Sequence, residues 1–430
     1  MQLYKNCQTT SRGATAAARR SLALLRDLLG EHFGGSIGVR LWDGTRVSSP
    51  DARAELIFPA PYSLRAALSP PVDLNPGRAF VEGRLDIAGD IEAAIEVIQT
   101  RLRTASKALL ARLALRLASL PAPPRSEPLA RQCGKPHSKH RDAAAIGYHY
   151  DQPIEFYRQF LDERLVYSCA YWDDGVDTLE AAQRAKLDYI LDKLRVRAGT
   201  RLLDIGCGWG ALIVRAAERG AHALGITLSQ SQHDEAQRRI ASAGLEGRAR
   251  VELRDYRELT SDRFDVISSI GMVEHVGRER LGDYFNQAMR ALRPGGLFLN
   301  HGITTQDPDG KGYRAGDDFI GRYVFPDGDL VPLDVLMRSA QAAGFEIRDA
   351  ENLREHYART LRAWGANLTA NREAVWEIAG ERTERIWRLY MAGSANTFAR
   401  GRMGLVQLLL AKPREDGSVD VPSTRRALYA

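Results

Sequence analysis

Apolar positions along the chain fall into three regimes. Residues 14–30 carry Leu22, Leu25 and Leu29 at helical spacing and stop at Gly30, which predicts one amphipathic helix. Between residues 36 and 90 the period shortens. Ile37-Gly38-Val39-Arg40-Leu41 and Ala54-Glu55-Leu56-Ile57-Phe58 alternate as strands do, punctuated by Asp43-Gly44, Pro59 and Pro61. A second helical pattern starts at Ile91 and runs through Ile95, Ile98, Leu102, Leu109, Leu113, Leu117 and Leu120 until Pro121, Pro123 and Pro124 end it. The tract to about residue 140 is rich in Pro, Ser, Gly, His and basic residues, so a linker is placed at 121–145. Beyond it, helical patterns alternate with short apolar runs at Arg201–Ile205, Ala223–Thr227, Ala249–Leu253, Phe264–Ile270 and Gly296–His301, and a terminal strand is expected at Gly404–Ala411. That alternation predicts an α/β domain over 146–430, a doubly wound, mostly parallel sheet with helices on both faces, preceded by a smaller α+β domain over 1–120.

Charge changes the picture locally. The 430 residues hold 60 Lys+Arg against 54 Asp+Glu, a net +6. Ten of those basic residues lie between Arg101 and Asp142, against only Glu127 and Asp142, so the excess is a basic belt on an otherwise near-neutral chain. No apolar run approaches the ~20 residues needed to cross a bilayer. The run Ser21–Leu25 after Arg19-Arg20 ends at Arg26 and Asp27, too short for a signal peptide, and a cytoplasmic location is expected. Cys7, Cys133, Cys169 and Cys207 form no CxxC pair and have no His at ligand spacing, so neither a metal site nor a disulfide framework is expected.

The strongest local signal is Leu202-Leu203-Asp204-Ile205-Gly206-Cys207-Gly208-Trp209-Gly210, with a helix from Ala211. An apolar strand feeding a glycine turn lets the backbone approach a ligand closely. The spacing is GxGxG rather than GxGxxG, and an acid precedes the first glycine. Such a turn also occurs as mere tight packing. Here, however, two further strand ends follow it, Gly225-Ile226-Thr227-Leu228-Ser229 and Arg254-Asp255-Tyr256, and ligands bind at the carboxyl ends of parallel strands. The pattern fits S-adenosylmethionine, whose ammonium needs an acceptor and whose ribose needs no phosphate cradle.

With these stretches together, the chain resembles the cyclopropane-fatty-acyl-phospholipid synthase family of S-adenosylmethionine-dependent enzymes. The resemblance runs from Tyr148 to Pro413 and rests on motifs in family order: Val166–Trp172 (VYSCAYW), the glycine turn, Gly225–Ser229 with Gln232, Gly271–Gly277 (GMVEHVG), His301–Thr304 and His356–Leu361. It continues more faintly at Gly77–Asp90. It implies a Rossmann-like methyltransferase sheet. It also implies a cofactor site for S-adenosyl-L-methionine formed by Tyr167, Ser168, the turn glycines Gly206, Gly208 and Gly210, Thr227, Leu228 and Gln232; Asp204, Asp255 and Tyr256 join them as strand-end candidates. A bicarbonate ion is implied at Cys169, Glu274, His301, Tyr357 and the backbone of Ile270. The chain departs from the family at His149–Tyr157, where Pro153 replaces a small residue and Ile154 an asparagine.

The implied reaction is methylene transfer to the cis double bond of an unsaturated acyl chain in a membrane phospholipid, giving a cyclopropane ring. An alkene is a weak nucleophile, so the methyl donor must be held in line with it. The proton then lost from the added carbon needs a base that is not itself methylated, a task suited to a small anion held by fixed donors. Tyr171, Trp172, Tyr323 and Phe325 are candidates to steady the cation through their π faces. The basic belt with its leucines is expected to dock on anionic lipid from the cytoplasmic side. The expected partners are therefore phospholipid acyl chains at the membrane surface, not nucleic acid, because the belt lacks interleaved aromatics; a homodimer is compatible with the chain. The alternative products are a methyl- or methylene-branched acyl chain, with a nucleic-acid methyltransferase further behind.

Overall fold

The computed structural model describes residues 8–10, 15–126, 141, 152–259, 263–306, 313, 314, 316, 318–422 and 424. Most of the expected linker, and His149–Asp151 of the departing segment, lie outside the described residues, as do Cys7 and Cys133.

The chain forms two compact units. The first holds Met1–Arg131 together with Gly316–Val324 and Ala379–Asn396, so the stretch 146–430 is not one uninterrupted body. Side-chain fit explains the recruitment. A Cβ on Gly77 would stand 2.4 Å from the ring of Phe319, so glycine makes room for that ring. The backbone N–H of Phe319 donates to the Asp73 carbonyl (3.1 Å), and Arg385 donates to the carbonyls of Phe80 (2.7 Å) and Leu85 (3.0 Å).

The sheet of this unit has the order β1-β3-β2-β4-β5, with β1 Gln8–Thr10, β2 Ile37–Leu41, β3 Arg46–Ser48, β4 Ala54–Phe58 and β5 Asp86–Gly89. The helix Ala16–Leu29 packs Leu24, Leu25 and Leu29 into the same core as Val39, Leu56 and Phe80. The expected helix from 91 to 120 is two helices, Ile91–Thr104 and Lys107–Ala118. Ala105 is extended between them, and Ser106 restarts the helix by accepting from the Leu109 N–H (3.2 Å), a serine cap strong enough to break a continuous apolar stripe.

The second unit is built on seven strands in the order β13-β14-β10-β9-β6-β7-β8. They are β6 Arg201–Ile205, β7 His222–Thr227, β8 Ala249–Leu253, β9 Phe264–Ile270, β10 Leu292–Thr305, β13 Glu346–Asn352 and β14 Met403–Ala411, while β11 Tyr313–Arg314 and β12 Asp329–Leu330 pair with each other as a separate two-stranded sheet. Neighbours pair in parallel except β14, which runs antiparallel to both β10 and β13. Two apolar layers, one around Leu202, Ile213 and Leu409 and one around Leu203, Phe285 and Leu408, cover the sheet. The chain leaves β6 towards β7 and β8, then crosses to β9 on the other side. That reversal opens a crevice at the carboxyl ends of β6 and β9, the position where open α/β sheets bind ligands. No helix among the described residues is long and apolar enough to cross a membrane.

Candidate active site

A cavity opens at that crevice. Its wall includes Tyr167, Ser168, Asp204, Gly206, Gly208, Thr227, Leu228, Gln232, Tyr256 and Ile270. The glycine turn is held by β7, because the N–H groups of Gly206 and Cys207 both donate to the Ile226 carbonyl (3.0 Å each). Gly206, Gly208 and Gly210 have φ of +78°, +54° and +86°, a region costly for residues with a Cβ. Gly225 serves the same turn from below, since a Cβ there would sit 2.7 Å from the Cys207 sulfur. At the end of β7 the Thr227 hydroxyl donates to Gln232 Oε1 (2.8 Å), while Ser229 caps the helix Gln230–Ser242.

Two expected cofactor residues do not line the cavity. Gly210 caps the helix Ala211–Glu218, tight against Ala236. Asp255 accepts from the backbone N–H of Arg257 (2.9 Å) and pairs with its guanidinium (2.6 Å), which ties the carboxylate to its own turn.

Asp204 is buried and accepts from the Ser268 hydroxyl (2.6 Å); burial raises its pKa to about 6, so it is ionised at neutral pH. Beside it stands a residue that sequence reasoning missed. Lys186 lines the cavity, is 2 % exposed, and donates to Ser168 Oγ (2.7 Å). Desolvation lowers its pKa to about 8, opposed by the charges of Cys169, Asp204 and Asp162. Its signal was present in the sequence: in the helix Leu179–Lys193 it falls on the buried stripe Leu179, Ala182, Gln183, Lys186, Leu187 and Ile190, where a cation is out of place. Trp209, Met272, His275, Arg254 and Arg257 complete the wall.

Of the five residues expected to hold an anion, Ile270 lines this cavity, and the other four are buried close to lining residues in two groups. In the first, Ile270 of β9 pairs in register with His301 of β10, and the N–H of Ile303, two residues on, donates to Glu274 Oε1 (2.7 Å). In the second, Cys169 follows cavity-lining Ser168; its thiol donates to the Ala170 carbonyl (3.2 Å) and its sulfur lies 3.9 Å from the Leu353 carbonyl, which receives the Tyr357 N–H (3.1 Å). Tyr357 meets Trp364 edge-on at 6.1 Å, and Trp364 lies 5.2 Å from cavity-lining Tyr167. The positive charge of Lys186 acts on Cys169 and His301 alike.

Burial sets the protonation of this cluster. It pushes the Cys169 thiol up, holds the His301 imidazole neutral by pushing its pKa well down, and raises Glu274 to about 7. Among the described residues, Glu274 Oε2 and His301 Nε2 are buried without a partner. Buried polar atoms left unsatisfied at Glu274, which accepts from Ile303, and at His301, two residues before Ile303 on the same strand, are what a small polar guest would satisfy, so these residues fit a bound anion. None of the aromatics expected to face the cation lines the cavity itself. Tyr171 stacks on Tyr189 (4.3 Å) and His356 (4.9 Å), the Trp172 indole donates to Thr360 Oγ1 (3.0 Å), Tyr323 stacks on Phe319 in the first unit, and Phe325 lies 5.9 Å from His275. The rings that line the cavity are Tyr167, Trp209 and Tyr256, backed by Trp364 against Tyr167 and by Tyr157, 4.7 Å from Trp209.

Comparison with known proteins agrees with this architecture. The family model described as "Mycolic acid cyclopropane synthetase" matches residues 137–408. A "Probable fatty acid methyltransferase" of Pseudomonas putida is 40% identical, over 91% of this chain and 95% of its own. The "Cyclopropane-fatty-acyl-phospholipid synthase" of Escherichia coli K12 is 36% identical over 63% of this chain and 68% of its own. The solved structure of the cyclopropane synthase MmaA2 from Mycobacterium tuberculosis superposes with a TM-score of 0.59 at 33% identity, covering 63% of this chain and 98% of that one. A parallel sheet with one reversed strand, a glycine turn at its switch point, the family match over residues 137–408 and a relative alike over nearly the whole chain lead to one conclusion: the chain belongs to the mycolic acid cyclopropane synthetase family of S-adenosylmethionine-dependent methyltransferases.

Proposed function

We propose that this enzyme adds a methylene across the double bond of an unsaturated phospholipid acyl chain to form a cyclopropane ring, with bicarbonate as the base. The observation that carries the reading is the pair of orphaned buried atoms, Glu274 Oε2 and His301 Nε2, beside a cofactor cavity. When bound, S-adenosylmethionine supplies an electrophilic methyl; its transfer breaks the C–S bond, forms a C–C bond to the alkene and releases S-adenosylhomocysteine, and loss of a proton from the added carbon closes the ring. Gly206, Gly208, Thr227 and Gln232 would hold the cofactor, and Ser168, which accepts from Lys186 on one lone pair, keeps its proton for a bond into the cavity. Glu274, His301, Tyr357 and Cys169 would hold the anion, which supplies a proton acceptor the methyl donor does not consume. Cells containing monounsaturated lipids should gain acyl chains heavier by one CH₂ on expression of this chain, and those chains should resist mild hydrogenation.

A second reading, a methylene-branched product, is favoured by the full-length likeness to the fatty acid methyltransferase and by the altered entry of the helix Ile154–Arg158, where exposed Pro153 precedes half-buried Ile154. That product has the same added mass but takes up hydrogen, so the hydrogenation step separates the two.

The acyl chain must be reached in a bilayer. On the helix Lys107–Ala118, Leu110 and Leu115 are 42% and 76% exposed, with exposed Arg103, Lys107 and Arg112 close in sequence. Anionic headgroups would attract the cations and the leucines would enter the acyl boundary. The double variant Leu110→Ser/Leu115→Ser should bind phosphatidylglycerol vesicles on the order of 10-fold more weakly, since even partial burial of two leucines contributes about 1 to 2 kcal/mol. Binding unaffected by this change and by salt would exclude this surface.

A further inference from the structure

Behind the anion site, a row of residues crosses four strands in register. Ile270 of β9 lies opposite His301 of β10, His301 opposite Gln407 of β14, and Gln407 opposite Glu351 of β13. At the end of the row stands Lys193, the last residue of the helix Leu179–Lys193 and 1 % exposed. Its ammonium pairs with Glu351, lies 3.9 Å from Asp349 and 4.4 Å from the Tyr189 ring, and donates to Gln407 Oε1 at 2.9 Å. The Tyr189 hydroxyl donates to the same Glu351 oxygen (2.9 Å).

The chemistry of these groups leaves one arrangement. An ammonium has protons and no lone pair, so Gln407 must turn its oxygen to Lys193. Its amide nitrogen, which only donates, is then the atom 3.2 Å from His301 Nδ1. Nδ1 must accept. We infer that Lys193 and Gln407 fix His301 as the Nε2–H tautomer, so that the imidazole presents a hydrogen-bond donor, never an acceptor, to the anion site. The inference rests on the reading of that site as an anion site. Burial independently keeps the ring neutral, which leaves a single proton to place, and the atom that receives it is the buried Nε2, which has no partner among the described residues. Lys193 and Gln407 are thus positioning residues. They act through His301 and give an oxygen of the held anion a fixed donor, whereas the other tautomer would turn a lone pair towards negative charge.

The full-length enzyme labelled with ¹⁵N-histidine tests this directly. The imidazole signals of His301, identified by their loss in His301→Asn, should report a protonated Nε2 and an unprotonated Nδ1. Gln407→Leu removes the lock and should yield a mixture of tautomers; Gln407→Glu should place a proton on Nδ1. Gln407→Leu should lower kcat on the order of 10- to 100-fold while leaving the KM for S-adenosylmethionine unchanged, since Gln407 does not reach the cofactor wall. A wild-type enzyme with Nδ1 protonated overturns the inference, as does a Gln407→Leu enzyme with wild-type spectrum and kcat. If the variants do not fold, the wild-type spectrum decides alone. A His301→Asn enzyme of full activity, with the wild-type ring still Nε2–H, would instead remove the anion-site reading and leave the tautomer standing.

Discussion

Glu274→Gln should lose turnover by on the order of 100-fold or more, the range expected for a group that orients the base of a proton transfer, while making the ligand-free protein more stable. The two effects have one cause. Glu274 Oε1 is already engaged by the Ile303 N–H, so Oε2 is left to meet a guest, and among the described residues backbone N–H groups alone offset its charge. Desolvation therefore raises the carboxyl from 4.5 to about 7. Between those values the folded state binds the proton that the unfolded chain has released. The stabilisation is full below pH 4.5 and is lost as pH rises towards 7; above that an ionised Glu274 opposes folding. Glutamine keeps the bond to Ile303 and carries no charge, so in bicarbonate-free buffer near pH 8 the variant should gain on the order of 2 to 3 kcal/mol, seen as a higher thermal midpoint. Catalysis has the opposite sign. An ionised Glu274 accepts the hydroxyl of the held anion and strengthens it as a base, so wild-type kcat/KM should rise with pH through about 7. A Glu274→Gln enzyme with normal turnover on lipid vesicles would refute the assignment, and a midpoint that fell would contradict the account of its burial.

The sheet of the second unit was legible because its central strands are short apolar runs ended by glycine or polar turns. Arg201–Ile205, Ala249–Leu253 and Phe264–Ile270 are observed within the bounds the pattern gives. Glu346–Asn352 was not, since an edge strand reading EIRDAEN shows neither apolar alternation nor β-branched enrichment; it forms because β14 offers it a partner. The assignment of Gly316–Val324 and Ala379–Asn396 to the first unit was equally invisible, because a ring seated over a glycine 242 positions away leaves no local pattern. The cofactor wall was largely readable from motif order, yet its lysine was not singled out. Periodicity put Lys186 on a buried face, and only the geometry joined it to Ser168 and Asp204.

That lysine carries the second large expectation. Lys186→Met should raise the KM for S-adenosylmethionine on the order of 10-fold, the value of one charge-assisted hydrogen bond of about 1.5 kcal/mol, with a much smaller change in kcat. Lys186 Nζ can only donate, so Ser168 Oγ accepts from it and keeps its own proton for the cavity. The ammonium thereby does two things at the wall: it orients the serine hydroxyl as a donor, and it adds a buried positive charge where the carboxylate of an amino-acid ligand is to be met. Methionine preserves the length and apolar contacts of the side chain but does neither. The pH dependence separates this role from packing. Lys186 holds its proton only below about 8, so in the wild type the KM should climb as pH rises through that value, whereas in Lys186→Met it should be high and flat over the same window. Lys186→Arg, which keeps a donor and a charge, should recover part of the affinity and shift the climb to higher pH. A wild-type KM that is level across pH 8, or a methionine variant that retains it, would mean that the cation is structural and that the cofactor is held by the glycine turn and the ends of β6 and β7 alone.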